Sequence, residues 1–318
     1  MKILVTGGCG FIGSHLCESL LARGHAVMAL DDLSSSSAGN LRAVAEDPKL
    51  EITIGSVLDE DLAGRLVARS DYVYHLAAAV GVRKILADPS GTLRGNLLGC
   101  EAVFRLCREH RKPALFASSS EVYGRSVSRK SRESDPIEIG PPAHPRWAYA
   151  AGKAAGEHLA YSYHAQYGLP VVIARFFNII GPRQSSDYGM VAPTLVRQAR
   201  AGGDMTIFGD GSQTRCFLDV RECVEALADL AERQEAFGQV YNIGNPLEIS
   251  ILELARQIRE LCASSSRIVT LPYAECMPGG LEDFPKRSPD ISKLASLLGF
   301  SPSIPLRETL MGIIEASS

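Results

Sequence analysis

None of the eight cysteines in this chain forms a C-x-x-C pair, and no apolar run is long enough to span a bilayer. The cysteines, at Cys9, Cys17, Cys100, Cys107, Cys216, Cys223, Cys262 and Cys276, are scattered over predicted helices and strands. That spacing suits neither a zinc site nor a disulfide framework, so no metal is expected, and the thiols read as small buried hydrophobes of a reducing compartment. A net charge of -3 over 318 residues offers no basic surface to nucleic acid or to acidic membranes. The first apolar residues are consumed by a predicted strand and leave no signal peptide, so a cytoplasmic location is expected. No internal repeat is visible, and only the serine runs approach low complexity.

What is present fits a globular enzyme: 46% hydrophobic and 22% charged residues, with length enough for two lobes. The first fifteen residues organise the rest. Lys2 to Val5 is predicted as a buried parallel strand, and an amphipathic helix opens at Phe11. Between them Gly7, Gly10 and Gly13 make G-x-x-G-x-x-G at a strand-to-helix turn. One glycine permits the tight turn, one lets main-chain N–H groups approach a pyrophosphate, and one lets helix and strand pack closely. With Phe11 and Ile12, the helix start presents its partial positive charge to the phosphates.

A second strand, His25 to Leu30, ends in Asp31-Asp32, about twenty residues beyond the glycines. A carboxylate there accepts from the adenosine ribose hydroxyls and repels a 2′-phosphate. NAD rather than NADP is the expected cofactor, with Asp31 as the main ribose ligand and Asp32, Ser34 and Ser35 beside it. A third strand over 51–55 brings Ser56 and Val57 near the adenine. The fourth, from Asp71 to His75, runs into Leu76-Ala77-Ala78, small residues that let the backbone pass close to the cofactor.

A long helix from Pro89 to His110 carries Asn96, with Leu93, Leu97, Val103, Leu106 and Cys107 on a mostly apolar face. A fifth strand over 113–118, a helix over 147–168 and a sixth strand over 170–175 follow. Strands alternating with helices predict an α/β fold, a doubly wound parallel sheet of the Rossmann kind with ligands at the strands' carboxyl ends. After Asn178, proline and glycine cluster and the periodicity loosens, which marks a smaller C-terminal α/β substrate lobe. It holds predicted helices over 220–233 and 251–261 and short strands over 240–243 and 268–271. The expected division is 1–177, with a returning segment near 216–245, for the nucleotide and 178–215 with 246–318 for the substrate.

Tyr149 and Lys153 are spaced i, i+4 on a predicted helix and share a face. A tyrosine ordinarily titrates near ~10, and a neighbouring ammonium, helped by a positive nicotinamide, favours its phenolate. Such a tyrosine can take a hydroxyl proton as hydride passes to the nicotinamide. Ala117-Ser-Ser-Ser-Glu-Val-Tyr-Gly124 leaves the fifth strand on the same side. A hydroxyl there can bond the reacting hydroxyl of a substrate, and Glu121 can act as acid, base or orienting charge.

Thr6-Gly-Gly-Cys-Gly-Phe-Ile-Gly13, Asp31, His75-Leu-Ala-Ala78, Ser118-Ser-Ser-Glu-Val-Tyr-Gly124 and Tyr149-Ala-Ala-Gly-Lys153 together resemble the extended short-chain dehydrogenase/reductase family. More narrowly, the chain resembles its NAD-dependent nucleotide-sugar epimerases, dehydratases and decarboxylases. The likeness continues through Arg175-Phe-Phe-Asn178, Gly181-Pro-Arg183, Phe208 to Arg215 and Tyr241-Asn-Ile-Gly244. It implies that Ser119, Tyr149 and Lys153 form an oxidoreduction triad and that Asn96 and Phe176 help position NAD. It also implies that Asn178, Val191, Thr206, Phe208 and Arg215 surround the nucleotide and diphosphate.

The dehydratases of this family show Asp-Glu where this chain has Ser120-Glu121, and loss of that proton donor disfavours dehydration. Ser-Glu before Val-Tyr-Gly is similar to UDP-glucuronate decarboxylases, as are Pro145-Arg-Trp-Ala-Tyr149, Gly211-Ser-Gln-Thr-Arg215 and Lys286-Arg-Ser-Pro-Asp-Ile291. That resemblance implies that Arg287 guides a sugar carboxylate. Ala77 to Arg83 is closer to the 4-epimerases, where Arg83 either contacts a sugar carboxylate or is solvent-exposed. The expectation is transient oxidation at C4 of a UDP-sugar, with UDP-glucuronate decarboxylation ahead of 4-epimerisation and dehydration last. A non-catalytic NAD sensor is the alternative outside this class, and the intact Ser119, Tyr149 and Lys153 argue against it. Family members pair the helices near 88–110 and 147–168 into a four-helix bundle, so a homodimer is expected.

Overall fold

A computed structural model describes residues 1–81, 86–124, 130–187, 189–272 and 286–317. Its centre is a seven-stranded parallel sheet of β1 (Lys2–Thr6), β2 (Ala26–Asp31), β3 (Leu50–Ile54), β4 (Tyr72–His75), β5 (Ala114–Ser119), β6 (Val171–Phe176) and β11 (Gln239–Ile243). The order is β11-β6-β5-β4-β1-β2-β3, so the winding reverses between β1 and β4. In doubly wound sheets that reversal, at the carboxyl ends of the strands, is the ligand position.

The inner strands are buried on both faces, which is why β1 and most of β5 read as apolar runs. Successive side chains alternate between the faces. Ile3 and Val5 pack with Leu16 and Leu20 of α1 (Phe11–Ala22) and with Val224 and Leu227 of α6 (Val220–Ala231). Leu4 and Phe116 pack on the other side, with Leu66 of α2 (Glu60–Arg69), Phe104 of α3 (Pro89–Glu109) and Ala160 of α4 (Trp147–Tyr167).

A separate hydrophobic core lies beyond β6. Leu195 of α5 (Val191–Arg200), Ile207 of β8 (Met205–Phe208), Leu254 and Ile258 of α7 (Ile251–Leu261) and Leu310 of α9 (Leu306–Ala316) close on one another. Three small sheets serve this region. β7 (Ile179–Ile180) pairs with β10 (Leu218–Asp219), β9 (Thr214–Cys216) with β12 (Glu248–Ser250), and β8 with β13 (Ile268–Leu271). α8 (Ser292–Leu298) packs Leu294 against the first core.

The irregular reading of the chain after Asn178 is corrected by α5. Its Pro193 lies in the first helical turn, where a missing N–H costs nothing because that donor has no intrahelical partner. α2 also went unpredicted, although Asp59 caps it by accepting the Leu62 N–H at 3.0 Å. On α3 the single apolar face divides in two. Val103, Leu106 and Cys107 are buried, whereas Leu93 and Leu97 are exposed. At 3.6 residues per turn Val103 lies about 80° around the helix from Leu93, enough to separate the two rows.

Candidate active site

The glycine turn is built on main-chain contact. Gly7 has φ +73°, and a Cβ on it would lie 2.8 Å from the nitrogen of Ala77; a Cβ on Gly13 would lie 2.0 Å from the Gly7 carbonyl oxygen. Glycine alone permits both approaches, which bring β1, α1 and the Leu76-Ala77 segment together. Gly10 is the N-cap of α1, with no side-chain cap and no acidic residue in the first turn. The helix supplies no anion of its own at the N–H groups of Phe11, Ile12 and Gly13, as a phosphate-binding helix start requires.

Asp31, only 8% exposed, accepts from the N–H groups of Cys9 (3.0 Å) and Leu33 (2.9 Å) and from the Ser36 hydroxyl. A carboxylate offers about four acceptor positions, so capacity remains for a ribose hydroxyl. These residues fit a dinucleotide. Asp32 is exposed and its carboxylate accepts the Ser34 N–H at 2.9 Å; Ser35 is half-buried beside it. Ser36 escaped the sequence reading, as did Asn40, whose amide donates to the Cys9 carbonyl at 2.8 Å. Ser56 caps the next turn by accepting the Leu58 N–H, and Val57 packs partly buried against the second core. The Ala77-Ala78 stretch is held by Asn96 of α3, which accepts the Ala79 N–H at 2.7 Å and donates to its carbonyl at 3.3 Å. Phe176 lies half-buried at the end of β6.

Ser119, at the end of β5, accepts the Glu121 N–H at 3.2 Å, and its hydroxyl favours the ionised form of the Tyr149 phenol. Lys153 donates to the Ala117 carbonyl at 2.7 Å, and its Nζ lies 5.9 Å from the Tyr149 ring centre. Burial brings its ammonium down to about 8. The phenol answers to other neighbours as well. Burial first, and then Glu121, push the phenol up, and the Ser119 hydrogen bond pulls it down.

Glu121 stands in a 3₁₀ turn over Ser120–Tyr123, beside the buried Ser120. Its carboxylate pairs with Arg287 through one oxygen and with Arg146 through the other, the latter at 3.3 Å. Burial alone would raise it, but the two guanidinium groups outweigh burial and hold it near 2. Arg146 was missed, although it stands three residues before Tyr149 in a stretch already singled out.

Arg287 is presented by a segment knitted to the loop at Ser131. Ser131 donates to the Ser288 carbonyl and accepts from the Asp290 N–H, both at 2.8 Å. Asn242, on β11, donates to the carbonyls of Ser131 (2.9 Å) and Asp290 (3.0 Å) and accepts the Tyr123 hydroxyl at 2.7 Å. A buried Arg175–Glu157 pair at 2.6 Å, joined by the Ser118 hydroxyl, braces β5, β6 and α4 behind the site. His75 bonds Thr6 at 2.9 Å, and burial takes its imidazole down to about 3, so it is neutral.

Beyond β6 stand Asn178, whose amide donates to the Cys216 carbonyl at 3.0 Å, and Val191 at the start of α5. Thr206 and Phe208 alternate with the buried Met205 and Ile207 and so share the half-buried face of β8. Arg215, on β9, donates to the Thr214 carbonyl at 2.7 Å. Arg83 and Cys276 lie outside the described residues. Among the described residues no cluster of His, Cys, Asp and Glu could hold a metal, and no helix is long and apolar enough to cross a membrane.

Residues 3–244 match the NAD dependent epimerase/dehydratase family. The UDP-N-acetyl-alpha-D-glucosaminuronate decarboxylase of Bacillus cytotoxicus is 38% identical over 316 residues, covering 99% of this chain and 97% of that one. UDP-glucuronic acid decarboxylase 1 of Arabidopsis thaliana is 35% identical over 310 residues, 98% of this chain and 68% of that one. Among solved structures, the UDP-glucuronic acid 4-epimerase from Bacillus cereus, in complex with UDP-glucuronic acid and NAD, matches with a TM-score of 0.89 and 31% identity. That match covers 99% of this chain and 98% of the epimerase. The parallel sheet, the glycine cradle and these likenesses agree: the chain belongs to the NAD dependent epimerase/dehydratase family, with NAD as its cofactor.

Proposed function

We propose that this chain is an NAD-dependent decarboxylase of a UDP-linked uronate sugar. The observation that carries the reading is the Arg287–Glu121 pair, whose carboxylate acts on the Tyr149 phenol beside it. It sets a carboxylate-binding cation next to an acid–base residue. NAD, when bound, supplies a reversible two-electron oxidation at C4 of the sugar. Ser119 orients the C4 hydroxyl and Tyr149 takes its proton. Lys153 fixes the end of β5 through Ala117. A ketone at C4 lies β to the C6 carboxylate, so the C5–C6 bond breaks with its electron pair delocalised onto the C4 oxygen, and CO2 leaves. C5 then takes a proton and the ketone is reduced, which leaves the cofactor as it began. Arg287 aligns the departing carboxylate.

The two decarboxylase relatives support this reading. A 4-epimerase is the second reading, favoured by the likeness to the Bacillus cereus enzyme. In either case the nucleotide sugar lies between the sheet's carboxyl edge and the lobe of 178–215 and 246–318, near Asn178, Thr206, Phe208 and Arg215. Two copies pair through α3 and α4, whose Leu93, Leu97 and Leu98 are exposed, in a reducing cytoplasm that suits the free cysteines.

The test is to incubate the purified protein with NAD and either UDP-glucuronate or UDP-N-acetylglucosaminuronate and to separate the products. CO2 with a decarboxylated UDP-sugar is the expected result. An isomer of unchanged mass makes the chain an epimerase, and no turnover of any UDP-, dTDP- or GDP-sugar removes the enzyme reading.

A further inference from the structure

Two guanidinium groups from distant parts of the chain converge on one carboxylate. Arg287 comes from the segment beyond β13 and meets Oε1 of Glu121; Arg146 comes from the cap of α4 and meets Oε2 at 3.3 Å. The arginine side chains are 9% and 13% exposed, and Glu121 is the more open of the three at 26%. Arg146 lies 5.5 Å from the Trp147 ring centre. It also precedes Tyr149 by three residues, so both project from the first turn of α4 toward one side. The convergence therefore adjoins the residue proposed to act at C4.

A uronate carries its carboxylate two bonds from C4, and that group has the charge and fork geometry of the Glu121 carboxylate. We propose that Arg146 is a specificity-determining residue that forms, with Arg287, a two-arginine cradle in which the sugar carboxylate takes the place of Glu121. The proposal rests on the uronate reading above. Burial keeps the guanidinium groups poorly hydrated, so an anion recovers a strong interaction by entering, whereas a neutral hydroxymethyl group cannot displace Glu121. Specificity for an acidic sugar is then a matter of exchange between two carboxylates. Glu121, released, becomes available to the reacting sugar.

The experiment measures binding of UDP-glucuronate and UDP-glucose by calorimetry to NAD-loaded Tyr149→Phe protein, in which turnover is blocked. Adding Arg146→Met should raise the UDP-glucuronate Kd about tenfold or more, the size of one charge-assisted hydrogen bond, and leave UDP-glucose within about twofold. Arg146→Lys keeps the charge without the fork and should fall between. Retained NAD reports an intact fold, and if the Met variant loses NAD the Lys variant decides by the same ratio. Equal weakening of both ligands, or of neither, overturns the cradle. CO2 release by the unaltered protein is a separate measurement: its absence alongside the Arg146-dependent discrimination would sink the decarboxylase and leave the cradle standing.

Discussion

Lys153 donates to the main-chain carbonyl of Ala117, 2.7 Å away, while the phenol of Tyr149, four residues earlier on α4, is pushed up by burial and Glu121 and pulled down by Ser119. The lysine is thus a clasp between α4 and the end of β5. Burial and Glu121 push that phenol up, so its work as a base depends on the positive nicotinamide of bound NAD beside it. Tyr149→Phe removes one oxygen at almost constant shape, so the cofactor cradle should be untouched. Turnover should fall by about 10² to 10⁴, the range for loss of a positioned acid–base group, with NAD content unchanged. Product analysis beside the absorbance of bound cofactor checks both halves, and an active Phe variant would remove Tyr149 from its role.

The glycines of the first turn should fail differently. A Cβ at Gly13 meets the Gly7 carbonyl oxygen at 2.0 Å, whereas one at Gly10 has only that same oxygen near it, at 3.1 Å. Gly13→Ala must therefore push α1 off β1, and thermal unfolding should show a large loss of stability together with loss of NAD. Gly10→Ala leaves the fold close to its original stability but places a methyl group where phosphates approach the helix start, so NAD binding should weaken on its own. Similar melting temperatures for the two variants would contradict the steric assignment.

Glu121 links the site to pH. Its folded value near 2 lies below its ordinary 4.5, so its contribution to stability is complete above 4.5 and is lost as pH falls toward 2. Arg287→Met removes a main cause of that depression. The variant should be less stable than the parent at neutral pH, and the gap should close as pH falls from 4.5 toward 2. Denaturant unfolding at a series of pH values measures it. A gap that stays constant would mean that Arg287 contributes packing rather than charge. In the assay, the same variant should lose decarboxylation more than UDP affinity; equal losses would make Arg287 a phosphate ligand.

The parallel sheet and the cofactor turn were legible because each rests on local pattern: unbroken aliphatic runs, glycines at fixed offsets, and an acid at the end of β2. The region after Asn178 was less legible, because Pro193 looks like a breaker unless its place in a first turn is known. Arg146 and Ser36 were not found, since nothing local says that an arginine capping a helix will meet Glu121, or that one serine among four will reach Asp31. The surroundings of Tyr149 were legible only in part, for a related reason. Spacing puts Lys153 on its face but cannot show that Ala117 takes the ammonium.

The last prediction concerns the row that the sequence merged with the core. Leu93, Leu97 and Leu98 of α3 are 36%, 38% and 42% exposed, next to α4 with Tyr161 and Tyr167 at 56% and 48%. Leucines at i, i+4 form a stripe along the helix, and such a stripe on a stable protein calls for a partner. Leu97→Glu places a charge in its middle without touching the buried Val103, Leu106 and Cys107. Sedimentation at micromolar concentration should show the parent as a dimer and this variant as a monomer, with similar secondary structure. If the parent is itself monomeric, the stripe is not a pairing surface. If the variant stays dimeric, the copies meet elsewhere.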